Sequence, residues 1–249
     1  MAYYNFNTQP YIIINGRNSQ TIKGLIIQKL PPIVKPPKRV EVEEVAGRDG
    51  DIVSVLGYGA YDLTFDIGLS YEYDIDDIIA YFDSEGTIVF SGEPNKFYKF
   101  AIYNEIDFEK LIRFRTASVT VHVQPFKYSS EEGELVFPVG TIYEDQLSDY
   151  IQVRNSGNII ARPTITITGA EHVVLYVNGE QKIAIDFPTA GSTVEVNAED
   201  MNSRYNDGTF ANRIVSGNYD KITLTSGKNF LLLQGIVSQV KVRNFSRWI

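Results

Sequence analysis

The chain has 249 residues, of which 23 are basic and 31 acidic, giving a formal net charge of −8, and it contains no cysteine. At roughly 150 residues per domain, that length predicts two domains or one large β domain. The composition excludes disulfides, thiolate catalysis, Fe–S clusters and Cys-ligated zinc, its 43% hydrophobic content excludes a disordered chain, and its acidic balance argues against a broad phosphate-gripping surface. Acidic balance also keeps a protein soluble, and it does not forbid DNA from passing through an acidic, non-sticking channel.

In chain order, Met1-Ala2-Tyr3-Tyr4-Asn5-Phe6-Asn7 has neither a basic n-region nor an apolar core, so no secretory signal is expected. No apolar run exceeds five residues, so no membrane insertion is expected. The 28 Ile and 22 Val against 13 Leu and 12 Ala favour strands over helices. Strands are predicted at Gly24–Leu30 and Arg39–Val45, and most clearly at Tyr61–Leu69, where Tyr61, Leu63, Phe65, Ile67 and Leu69 alternate with Asp62, Thr64, Asp66 and Gly68. One helix is predicted from Ile75, Ile78, Ile79 and Phe82, with Asp74 as N-cap and Gly86 as stop. Strands follow at Thr87–Phe90, Phe97–Tyr103 and around Val119, Val121 and Val123, the last ending at Pro125 because proline donates no ladder hydrogen bond. Periodicity then weakens, which sets residues 1–130 as a first domain, 131–148 as a linker and 149–249 as a second domain. The second reads as a β-sandwich: Pro163–Gly169 alternates Thr and Ile, Val173–Val177 and Gln181–Ile185 flank the hairpin dipeptide Asn178-Gly179, and strands fit Ser192–Val196, Lys221–Leu224, Phe230–Leu233 and Val237–Val242.

A search for chemistry finds little. Only His122, on the polar side of a strand, and His172, expected in a turn, are available as histidine bases, and no nucleophile-elbow glycines flank a serine. Asp74, Asp76 and Asp77 complement the dipole of the predicted helix. Gly47-Arg48-Asp49-Gly50-Asp51 fits a tight turn between strands better than a metal loop, since Val53 stands where a third oxygen ligand belongs. Glu199 and Asp200 with Asn202, Asn206 and Asp207 form the best remaining place for a cation. No phosphate-cradling glycine motif is present. No catalytic, cofactor or metal residue is therefore assigned. The island Pro31-Pro32-Ile33-Val34-Lys35-Pro36-Pro37-Lys38-Arg39 reads as a stiff polyproline-like arm, suited either to reaching a neighbouring subunit or to linking two strands. The 16 Tyr and 14 Phe suit protein interfaces better than a sugar platform, for only one Trp is present.

The ordered segments Val45-Ala46-Gly47-Arg48-Asp49-Gly50, Tyr61–Leu69, Phe90-Ser91-Gly92-Glu93-Pro94-Asn95-Lys96-Phe97-Tyr98-Lys99 and Val119–Val123 with Gln124-Pro125-Phe126-Lys127-Tyr128 resemble the amino-terminal domain of siphophage distal tail (Dit) proteins. Asn155-Ser156-Gly157, Pro163–Gly169, Asn178-Gly179, Gly227-Lys228-Asn229 and Arg247-Trp248 resemble that family's carboxyl-terminal domain. The resemblance implies a mainly β fold: an N-terminal β-sandwich with one short helix and a projecting hairpin, and a C-terminal galectin-like β-sandwich. It implies a non-enzymatic, cofactor-free virion protein, assembled in the host cytoplasm. Six copies would ring the tail tip, joining the tail tube protein to the tail-tip or tail-associated lysin protein. The ring would hold baseplate or receptor-binding proteins while DNA passes through its lumen. Pro31, Pro32, Pro36, Pro37, Tyr61 and Leu69 are expected near the ring contacts, with acidic side chains facing the lumen. The alternative is a carbohydrate-binding module for host cell-wall polysaccharide; the sugar-reading residues of galectins are not recognisable in the sequence.

Overall fold

The computed structural model describes residues 9–138 and 150–249. The chain divides into two compact units, residues 1–130 and 131–248. The first seven residues and the 139–148 part of the expected linker lie outside the described residues, whereas Glu134–Pro138 of that linker is a strand of the second unit.

In the first unit, β1 (Ile12–Ile14), β2 (Arg17–Asn18), β3 (Leu25–Lys29), β4 (Lys38–Glu44), β5 (Asp51–Tyr58) and β6 (Tyr61–Leu69) precede α1 (Ile75–Phe82). Then come β7 (Glu85–Phe90), β8 (Lys96–Ala101), α2 (Phe108–Phe114) and β9 (Thr116–Ser129). Apart from β4 and β5, which pair only with each other, the strands follow one antiparallel path, β2-β1-β7-β8-β9-β6-β3. On a flat sheet β7 and β6 would stand three strands, about 14 Å, apart. Yet the rings of Phe90 and Phe65 meet at 5.9 Å, so the path curls until β7 and β6 face each other across a core. Ile78 and Phe82 of α1 enter that core with Phe65, Ile67, Val119 and Val121.

Three sequence expectations need correction here. The strand around Val121 does not stop at Pro125 but runs on to Ser129. The pairing with β6 ends at Tyr61 opposite Val123, and the β8 register slips between Tyr98 and Phe100, so the proline sits where the ladder asks for no donor. Gly86 does not stop the helix; Asp83 caps it and Gly86 lies inside β7. A second helix, α2, is present where one was expected. Asp107 caps it by accepting from the Lys110 N–H at 2.7 Å, but only Leu111 is buried, so it shows no apolar stripe.

The second unit contains β10 (Glu134–Pro138), β11 (Ile151–Asn155), β12 (Thr164–Val177), β13 (Glu180–Asp186), β14 (Ser192–Asn197), β15 (Asn202–Tyr205), β16 (Val215–Gly217) and β17 (Gly227–Arg243). β12 and β17 are long strands paired along their length, and each serves two half-sheets. One end pairs β10 and β14, and β14 carries β15; the other pairs β11 and β13, and β13 carries β16. The change of sheet occurs at a bulge between Ala170 and Val174, where Gly235 faces the His172 carbonyl too closely to leave room for a Cβ. His172 thus lies within a strand and not in a turn. Ile165, Ile167, Val194 and Val240 of one half-sheet join Leu175, Ile183, Ile185 and Leu231 of the other in a single core. The hairpin at Asn178-Gly179 forms as expected, both residues having positive φ (52° and 82°) as a primed turn demands. Lys221–Leu224 makes only an isolated bridge, Leu224 to Ala161.

Candidate assembly surfaces

Both histidines sit beside an aspartate on a neighbouring strand. His122 Nδ1 lies 2.8 Å from Asp62 Oδ1, and His172 Nδ1 lies 2.7 Å from Asp186 Oδ1. Neither ring contacts a hydroxyl nucleophile among the described residues. The acidic loop considered for a cation spends its groups separately: Asp200 accepts from Asn197, Asp207 from Thr209, and Glu199 holds Arg247 at 3.1 Å. Asp74 caps α1, and both carboxylate oxygens of Asp77 accept from Arg17 Nη2, at 2.9 and 2.8 Å.

In the first unit a charged triad is built into the fold. Glu93, in the turn after β7, accepts from Lys96 Nζ at 2.7 Å and from Lys127 Nζ at 2.8 Å, and Lys127 is buried. Burial works against ionisation of Glu93, but the hydrogen bonds and charges of Lys127 and Lys96 outweigh it and hold the carboxyl below the usual range. Tyr61 is pushed up, chiefly by burial, against a hydrogen bond with Tyr98 and with help from the Glu93 charge.

The arm begins over this triad. Leu30, Pro31, Pro32 and Ile33 close a cavity of about 20 Å³, room for about one water, against Phe90, Glu93 and Lys96. Pro31 and Pro36 are buried, whereas Pro32, Ile33, Val34, Lys35 and Pro37 are exposed. The Gly59 N–H donates to the Pro37 carbonyl at 2.8 Å and fixes the far end. Of the strand residues expected at the contacts, Tyr61 is half-buried and Leu69 belongs to the core.

β4 and β5 leave the arm as a two-stranded ribbon. Their register sets Val40 opposite Val55 and Val42 opposite Val53, while Glu41 faces Ser54 and Glu43 faces Ile52. Side chains alternate across a strand, so one face of the ribbon carries the four valines and, at its tip, Glu44 opposite Asp51, while the other mixes Glu41 and Glu43 with Ser54, Ile52 and Leu56. The four valines are between 46% and 57% exposed. An isolated two-stranded hairpin is marginal in water, and an exposed apolar face of this kind marks a surface that docks. The sequence pointed to β4 but not to β5, because Ile52 and Leu56 on the opposite face break the alternation of Val53 and Val55.

The second unit offers a groove of about 310 Å³ on the half-sheet that holds β10 and β14, lined by Thr166, Glu195, Arg204 and Lys241 among others. The Arg204 guanidinium lies 4.2 Å over the ring of exposed Phe210.

No family model matches the sequence, and no curated protein matches it. Among solved structures, the chain is similar to the SPP1 Dit (gp 19.1) protein, described as a paradigm of the hub adsorption apparatus in phages that infect Gram-positive bacteria. The TM-score is 0.66 at 16% identity, over 96% of this chain and 100% of that one. It is also similar to a chain of the phage P2 baseplate in its activated conformation with Ca, with a TM-score of 0.52 at 10% identity, over 95% and 97% of the two chains. The chain has the fold of a phage baseplate hub protein. The hub fold is mainly β, and the likeness spans both units.

Proposed function

We propose that the chain is a structural component of a phage tail tip, six copies of which close into a ring. In this reading the ring joins the tail tube to the tail-tip or tail-associated lysin protein, anchors baseplate or receptor-binding proteins, and lets DNA pass through its lumen. The observation that carries the proposal is the valine-faced ribbon on a chain 96% of which is covered by its likeness to a hub protein. A ring closes through heterologous contacts, so each copy must present a projecting surface and a different receiving one. The ribbon and the exposed part of the arm, Pro32 and Pro37 with Ile33 and Val34 between them, supply the first. The exposed carboxylates of Glu41, Glu43, Glu44 and Asp51 along the ribbon suit a lumen that does not retain DNA. Six equivalent second units would give baseplate partners multivalent docking.

Light scattering on the purified protein tests the ring: six copies of the 28.1 kDa chain give about 169 kDa. A single mass of 28.1 kDa at every concentration, with and without tail tube protein, overturns it. The polar groove with Thr166, Glu195, Arg204 and Lys241 favours a second reading, a carbohydrate-binding module. Saturable binding of cell-wall polysaccharide by a monomeric chain, lost in Glu195→Ala, supports that reading over the ring.

A further inference from the structure

A second surface in the first unit has no role in the contacts described so far. Ile79 and Phe82 of α1, Ile102, Tyr103 and Ile106 of the loop after β8, and Phe108 at the start of α2 line an open pocket of about 260 Å³. Tyr103 is 66% exposed and Ile79 40% exposed, so the pocket opens to solvent as a recess lined by apolar side chains, three of them aromatic, together with polar Asn104. Asp83 lies at its edge, and exposed Glu105 and Asp107 alternate with its lining residues along the same loop. The recess mixes apolar and polar surface within and is acidic around.

The arm is the complement of that description. Ile33 and Val34 are exposed between two buried prolines, and Lys35, Lys38 and Arg39 follow directly. Proline fixes φ, so the segment is held extended before it meets a partner and loses little freedom on docking. Proline-rich extended segments are received by aromatic-lined grooves for this reason. The apolar centre of the arm matches the recess, and its three cations match the acidic rim.

The two cannot meet within one copy. The arm starts at the Phe90–Lys96 end of the β7–β8 hairpin, whereas the pocket lies at the opposite end, beside Asp83 and Ile102. The strand between, from Glu85 to Phe90, spans roughly 17 Å. Pro31 and Pro37 hold the arm at both ends, so the segment between them has no slack to swing. We propose that the arm of one copy, through Ile33 and Val34, docks into the α1 pocket of the next copy, which makes this pocket the receiving half of a head-to-tail contact. The inference rests on the ring reading and adds its receptor site.

Because the chain has no cysteine, the contact can be trapped directly in the full-length protein. Ile33→Cys and Tyr103→Cys each alter an exposed side chain. Mixed and oxidised, the two variants should give a dimer-mass band on a non-reducing gel that neither gives alone, and a chain carrying both should give a ladder. Lys35→Glu or Asp83→Lys alone should lower the yield of that band about tenfold, and combining the two reversals across the contact should restore it. A mixture that reaches ring mass without the band overturns the docking and leaves the ring. A mixture that stays at the mass of one chain with and without tail tube protein, without the band, overturns both.

Discussion

The β12–β17 pair and the β4–β5 ribbon are written in the same alternating, valine- and isoleucine-rich pattern, yet they end in opposite environments. In β12 and β17 the inward residues Ile165, Ile167, Leu175, Leu231 and Val240 are fully buried or nearly so. In the ribbon, four cross-strand valines remain about half exposed. Alternation specifies a face to be covered, and it does not say whether the cover comes from the same chain. Truncation separates the two cases. Leu175→Ala removes buried methyl groups with no route for collapse between two half-sheets and should cost about 3 kcal/mol. Val42→Ala should change stability by less than about 0.5 kcal/mol in the monomer. Urea unfolding of the two variants checks this; an equal loss for Val42→Ala contradicts an uncovered ribbon.

Polar burial sharpens the same contrast. Asn229 of β17 is fully buried. Its amide donates to the carbonyls of Thr225 and Gly227, and its oxygen accepts from the Thr225 N–H and hydroxyl and from Asn178. One side chain therefore ties the β12–β13 turn to the start of β17. Asn229→Ala leaves several of these groups without partners, and about 2–3 kcal/mol is expected to be lost. Asn206, exposed in a loop, is the control whose replacement by Ala should be nearly neutral. Thermal unfolding that shifts equally for both contradicts the tie.

In the first unit the counterpart is the Glu93 triad beneath the arm. Glu93→Gln leaves Lys127 buried without its carboxylate and should cost about 2 kcal/mol, less than a fully buried pair because Glu93 and Lys96 remain 20% exposed. The Glu93 carboxyl is held below its ordinary 4.5 in the folded chain. Its contribution is therefore complete above that value and is lost as pH falls through the lower folded one. Wild type should lose stability more steeply than Glu93→Gln below pH 4.5. Parallel acid profiles for the two proteins contradict the triad as the source.

How much of this was legible depended on whether the determining contacts are local. The Tyr61–Leu69 strand, the Asp74-capped helix and the Asn178-Gly179 hairpin were readable because period, cap and turn lie within a few residues of each other. The continuation of β9 beyond Pro125 was not, since the register slip that tolerates the proline is a property of its pairing with β8. The joining of Pro163–Gly169 to Val173–Val177 as one strand depends on Gly235, more than sixty residues away. α2 was hidden because its Ile112 and Phe114 face outward. The candidate surfaces were partly legible: the arm stood out by composition, but its pocket is assembled from α1, a loop and α2. Leu69 shows the converse, a good strand position whose side chain serves the core.

The smallest expected effect on stability is the most informative for the ribbon. Val53→Asp places a carboxylate in the centre of the valine face, opposite Val42 and in water, where no buried charge is created in the monomer. The change in unfolding free energy should stay within about 0.5 kcal/mol. If a neighbouring copy covers that face, the same carboxylate must be desolvated at the contact without a partner, a penalty of several kcal/mol at each of six equivalent positions. Unchanged folding with complete loss of the ring mass is the expected pair of results. Val53→Asp that assembles as well as wild type removes the valine face from the contact and leaves the arm as the projecting half.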